Sequence, residues 1–100
     1  MTYNLGRLED LPPAEPKLVE VGGLRLVLVR VGGEAHALDE ICGHQGGPLS
    51  EGKVSGAKVT CPWHGWTYDL RTGQCLMPTR GGATASYPVR VEDGDILLEV

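Results

Sequence analysis

Two short stretches of this 100-residue chain bring metal-binding side chains close together: Cys42-Gly43-His44 and Cys61-Pro62-Trp63-His64, with sixteen residues between them. Each offers one thiolate and one imidazole. Together they use two of the three cysteines and two of the three histidines. A tetrahedral zinc ion accepts such a set, but its usual sequence form places a cysteine pair first and a histidine pair later. Here each stretch holds one of each kind. That order suits a two-iron centre in which one iron takes both thiolates and the other both imidazoles. An iron–sulfide rhombus is long enough for two facing loops to grip it from opposite ends. Zinc is the competing occupant.

With their flanks, Cys42-Gly43-His44-Gln45-Gly46-Gly47 and Cys61-Pro62-Trp63-His64-Gly65-Trp66-Thr67-Tyr68-Asp69, the two stretches resemble those of Rieske-type [2Fe–2S] ferredoxins. The similarity runs from about Val19 to the C-terminus. The resemblance implies one [2Fe–2S] cluster held by Cys42, His44, Cys61 and His64, with the histidines at an exposed tip where an electron enters and leaves. It also implies roles for neighbours. The Tyr68 hydroxyl is expected to bond a cysteine sulfur. Trp63 and Trp66 are expected to cover the cluster and form part of a docking face, core burial being the alternative for Trp66. Gly46 and Gly65 are expected to allow close approach or a positive φ, an ordinary turn being the alternative for Gly46. Leu76-Met77-Pro78 is expected to lie over the cluster as a third loop, with core packing the alternative for Met77.

The chain departs from the high-potential branch of that family. Respiratory Rieske subunits carry an extra cysteine in each loop and a serine donor to sulfide; the corresponding places here hold Gly47, Trp63 and Trp66. Two ferric ions, two sulfides and two thiolates sum to zero formal charge, so adding one electron is easier than for an all-cysteine cluster. With fewer hydrogen bonds to sulfur, a potential near the low end of the Rieske range follows, about −150 mV.

The function that the resemblance implies is one-electron transport from a flavin-dependent reductase to a terminal oxygenase, by a protein that is not itself an enzyme. A second reading is a small subunit of a larger oxidoreductase such as an assimilatory nitrite reductase. A third is a non-redox domain holding structural zinc. Once two histidines are assigned, only His36 is left, so the 2-His-1-carboxylate iron site of a Rieske oxygenase cannot be built. His36 lies in a strand pattern outside both loops and reads as a surface or packed residue. Neither a nucleophile motif nor a Gly-rich phosphate loop is present.

Composition narrows the setting. A net charge of −4 and a pI near 5.2, with no basic stripe, argue against nucleic acid. The longest apolar run is Leu26 to Val29, too short to span a membrane. The first residues lack a basic stretch followed by an apolar one, so no secretory signal is expected. With two of three cysteines assigned to metal, no internal disulfide is expected and Cys75 reads as a small buried hydrophobe. These features point to a reducing, cytoplasmic setting.

The elements that must position the ligands read as all-β. Leu18–Val21 meets Leu24–Val31 across Gly22-Gly23, a two-residue hairpin signal, and Gly32-Gly33 turns the chain into Glu34–Asp39. Tyr87–Val91 and Ile96–Val100 flank Asp93-Gly94, another turn pair. Val54–Thr60 reads as a small hairpin turning at Ser55-Gly56, and Leu11–Pro16, with three prolines, as a stiff connection. A single domain of residues 1–100 is expected. The resemblance implies a Rieske fold, in which antiparallel sheets form a sandwich base and a cluster-binding subdomain, about Ile41 to Arg80, is inserted.

Overall fold

The computed structural model describes residues 1–41, 48–63, 65–77 and 83–99. The centre of the molecule is a strand with no polar interior. Leu26, Val27, Leu28 and Val29 are consecutive and all buried, and successive side chains of a strand point to opposite faces. Both faces of that strand must therefore be covered.

This strand is β3 (Leu24–Val31). It pairs antiparallel with β2 (Lys17–Val21) on one side and β4 (Glu34–Asp39) on the other. The β2–β3 turn is Gly22-Gly23, both at positive φ, as a two-residue hairpin matched to strand twist requires. A short strand β9 (Ser86–Tyr87) completes the sheet in the order β2-β3-β4-β9.

One face of this sheet carries Leu26, Leu28, Ala35 and Ala37, which pack with Ile96 and Leu98. Those two residues lie on β11 (Asp95–Glu99), the middle strand of a second sheet between β1 (Thr2–Arg7) and β10 (Val89–Glu92). The opposite face carries Val27, Val29 and Leu38, which pack with Leu49, Val59, Cys61, Tyr68, Leu70 and Cys75. Val59, Tyr68 and Cys75 belong to a third sheet, β5 (Lys53–Ser55), β6 (Lys58–Thr60), β7 (Thr67–Asp69) and β8 (Cys75–Met77), in chain order, and Cys61 and Leu70 directly follow β6 and β7. A 3₁₀ turn, Leu49–Glu51, leads into it. The third sheet lies between β4 and β9 in the chain and is stacked on the face of β3 opposite the second sheet. No helix among the described residues is long and apolar enough to cross a membrane.

Three sequence readings need correction. Tyr87–Val91 is not one strand. Tyr87 pairs with Ala37 in the middle sheet, whereas Val89 pairs with Leu98 in the second. Pro88 stands between them; it has no N–H to give a ladder, so the chain changes sheets there. The β5–β6 hairpin turns at Gly56-Ala57, with Gly56 at φ +59°, one residue later than read. Leu76 and Met77 are strand residues of β8 rather than loop residues, and Met77 is 68% exposed, which excludes core packing. Leu11–Pro16 has no strand of its own; it meets β3 through the Pro13–Arg30 bridge and the Ala14 N–H donated to the Arg30 carbonyl, and Leu11 packs in the core with Leu26 and Leu28.

Gly52 joins the 3₁₀ turn to β5 at a point with no room for a side chain. A Cβ there would lie 2.2 Å from the Thr60 carbonyl oxygen and 3.1 Å from that of Leu49. Gly52→Ala is expected to destabilise the protein by about 1–3 kcal/mol, the usual cost of overpacking against backbone. Gly33→Ala, where nothing lies within 4 Å, is expected to stay within about 0.5 kcal/mol of wild type. Urea unfolding of both variants checks the pair; equal midpoints would contradict the close approach.

Candidate metal centre

Cys61 follows β6 directly and is 1% exposed. Its N–H donates to the Trp66 carbonyl at 2.7 Å, and its own carbonyl accepts the Gly65 N–H at 3.1 Å. Gly65 takes φ +71°, a left-handed value at which a side chain is disfavoured. Just behind this connection, Thr60 and Thr67 are register partners with their hydroxyls 3.2 Å apart. The second motif is thus mounted on a pinned two-strand base. Pro62 and Trp63 face solvent, Trp63 being 59% exposed, while Trp66 is half-buried against the core below. Of the two readings of Trp66, the core-packing one has the direct observation: its side chain packs on the core, beside the connection. Tyr68 lies one strand position further on. It is fully buried, opposite Val59 on β6 and Cys75 on β8, in the same cluster as Cys61.

The first motif is held at both ends. Ile41 and Pro48 form an antiparallel bridge, and the Leu49 N–H donates to the Glu40 carbonyl at 2.8 Å. The Ile41 N–H donates to the Asp39 carboxylate at 3.1 Å, and its carbonyl accepts the Thr84 hydroxyl at 3.2 Å. Glu40 is buried, and its carboxylate accepts from Ser50. A third attachment reaches the same place. The Thr84 N–H donates to the Gly73 carbonyl at 2.8 Å, and Gly73, at φ +79°, would place a Cβ 2.3 Å from the Thr84 oxygen. Gln74 and Ala83 bridge beside it. None of Asp39, Glu40, Ser50 or Thr84 was singled out by sequence. Isolated polar residues near a turn carry no spacing signal, and only the fold brings them to one neck.

Cys42, His44, Gly46 and Gly47, together with His64 and Pro78, lie outside the described residues. Whether the remainder suits a cluster is tested by what the fold does with the motif ends. An open recess beside Cys61 is lined by Glu51, Gly52 and Lys53, which follow the first motif, and by Thr60, Pro62 and Gly65 of the second. Gly52 touches the Thr60 carbonyl, and Leu49 shares a core with Cys61. The segment that follows the first motif is therefore packed beside the start of the second. Among the described residues no group of three or more His, Cys, Asp or Glu side chains is gathered. The residues present fit a mixed thiolate–imidazole centre. His36, by contrast, sits on β4 with its ring 3.3 Å from Glu34.

The charge shifts that can be assigned belong to the base sheets. Burial first, and then the charge of Asp39, push the Tyr87 phenol up. Hydrogen bonds from Arg90 and then Thr2 hold the Glu99 carboxyl below the ordinary carboxylate range.

Comparison with known proteins decides what spacing left open. The ferredoxin component of the naphthalene 1,2-dioxygenase/salicylate 5-hydroxylase systems of Ralstonia sp. is 31% identical over 93 residues, covering 93% of this chain and 89% of that protein. The ferredoxin of carbazole 1,9a-dioxygenase from Nocardioides aromaticivorans IC177 superposes with a TM-score of 0.91 at 27% identity, covering 98% of this chain and 96% of that one. A chain from a complex of reduced oxygenase and oxidized ferredoxin in carbazole 1,9a-dioxygenase superposes at 0.88 with 26% identity, covering 97% of this chain and all of that one. The profile of the Rieske [2Fe–2S] domain matches residues 1–88. A diiron cluster, not zinc, is the occupant that this match implies, and the chain belongs to the Rieske [2Fe–2S] domain family.

Proposed function

We propose that this protein carries single electrons from a flavin-dependent ferredoxin reductase to a terminal oxygenase, as a partner protein and not as an enzyme in its own right. The observation that carries this reading is correspondence over nearly the whole length of both chains with ferredoxin components of dioxygenase systems. Cys42 and Cys61 would hold one iron of the cluster, and His44 and His64 the other. Residues 41–80 then act as the cluster-binding subdomain of a single domain. The reducing cytoplasm is the setting that this cysteine usage suits.

When bound, the cluster takes up one electron and gives it back. The chain's own residues do the rest. A carrier works best when its frame moves little on each transfer, and this frame is pinned on both sides. Cys61 is locked by the Trp66 and Gly65 hydrogen bonds, and Ile41 by Asp39, Thr84 and Pro48. Tyr68, buried beside Cys61, excludes water from below. Trp63 offers a large exposed ring one residue from His64. Met77 is opposite Thr67, at the same end of the third sheet, and is also exposed. Both are large apolar side chains left open to solvent, and exposed aromatic residues beside a ligand position commonly anchor interfaces.

Three outcomes are expected. In a reconstituted assay with reductase and purified oxygenase, the isolated protein should restore turnover. Obligate co-purification with a large sirohaem or flavin subunit, with no activity as a separate carrier, would favour the enzyme-subunit reading instead. Trp63→Ala should raise the KM of the oxygenase for the ferredoxin by about tenfold, the scale of a lost aromatic anchor, while the visible spectrum is unchanged; an unaltered KM removes Trp63 from the docking face. Protein-film voltammetry should give a midpoint near the low end of the Rieske range, about −150 mV, and Tyr68→Phe should lower it by loss of a donor. A midpoint well above +100 mV contradicts the ligand-environment argument, and no change in Tyr68→Phe shows that the hydroxyl does not act on the cluster.

A further inference from the structure

A buried carboxylate stands at the neck of the first motif and has no part in the reading so far. Glu40 is 3% exposed and lies two residues before Cys42. One of its oxygens accepts the Ser50 N–H at 2.6 Å, and the other accepts the Ser50 hydroxyl. The Glu40 N–H donates to the Arg25 carbonyl at 3.1 Å, and its carbonyl accepts the Leu49 N–H. Glu40 therefore joins the N-terminal end of β3, at Arg25, to Leu49 and Ser50 on the far side of the neck.

We propose that Glu40 is a positioning residue for the cluster: by gripping Ser50 it holds the first ligand pair in place. This rests on the assignment of Cys42 and His44 as ligands made above. Two trans peptide units span at most about 7.6 Å between Cα atoms, so Cys42 cannot move far once Glu40 is fixed. Hydrogen bonds accepted by a carboxylate away from water are stronger than neutral ones. If the carboxylate is removed, the Ser50 N–H loses its acceptor in a part-buried place, at the cost of desolvating that donor. The neck then opens most easily at Ser50, and the ligand loop loosens with it. Thr84 grips Ile41 independently, so opening is confined to the Ser50 side.

The test uses the cluster-loaded protein. Iron loss to an excess of chelator is followed by absorbance, and the reduced cluster is examined by EPR. Glu40→Ala should release iron about tenfold faster than wild type, the scale seen when residues supporting metal ligands are removed, and should shift the g values. Glu40→Gln keeps a carbonyl oxygen of the same reach and should restore most of the retention. Leu98→Ala, in the opposite core and matched in melting temperature by choice of denaturant, supplies the reference for stability loss alone. If Glu40→Ala matches this reference in both release rate and g values, Glu40 only stabilises the fold and the proposal is overturned. Should Glu40→Ala not fold, Ser50→Ala removes the hydroxyl alone; faster release supports the proposal, and a wild-type rate overturns it. Cys42→Ser tests the ligand assignment separately, because a wild-type EPR spectrum there would sink that assignment whatever Glu40 does.

Discussion

The structure depends on one strand being buried on both faces. Four apolar residues in a row leave β3 with no side to show to water, so each face must be covered by a separate layer. Leu26 and Leu28 take the second sheet, and Val27 and Val29 take the third. Each fully buried Leu or Val contributes about 1.5–3 kcal/mol relative to exposure, so leaving either face bare would cost a large fraction of the few kcal/mol by which a small domain is stable. The third sheet is thus held to the rest of the molecule by the same strand that carries the base.

That stacking places the metal end. Val27 and Val29 share a core with Val59, Cys61, Tyr68 and Cys75. The cysteine of the second motif is thereby a core residue as well as a ligand candidate, and its neighbours Pro62 and Trp63 emerge directly into solvent. Within three residues the chain passes from full burial to a ring that is 59% exposed. An electron carrier needs such a gradient between a sheltered side and a side that a partner can approach.

The polar residues that tie the necks together work by a different rule. Asp39, Glu40 and Thr84 each satisfy with their side chains a backbone group of Ile41 or Ser50 that the departing loop leaves without a ladder partner, and the Ser50 hydroxyl adds a second bond to Glu40. Buried backbone groups almost always find such partners, and when they do the loop ends are fixed as firmly as the strands. Gly52 and Gly73 serve the same end by the absence of a side chain, since each lies against a carbonyl oxygen.

Much of this could be read from the order of residues. The ligand types and their alternation, the hairpins at Gly22-Gly23 and Asp93-Gly94, and the uninterrupted run of β3 are local signals, because spacing, turn chemistry and side-chain period act over a few positions. What was missed is non-local. β1 had no clear period of its own and is a strand because β11 offers it an edge. Tyr87–Val91 read as one strand, and only the pairings on either side of Pro88 show that the chain there passes from one layer to the next. Glu40, Ser50 and Thr84 look like ordinary polar residues until folding brings Ser50 to Glu40 and Thr84 to Ile41. Amino-acid order alone therefore determined the thiolate and imidazole donors on offer and the all-β frame. Tertiary structure decided which backbone groups are left open at the loop necks, and so which distant side chains must close them.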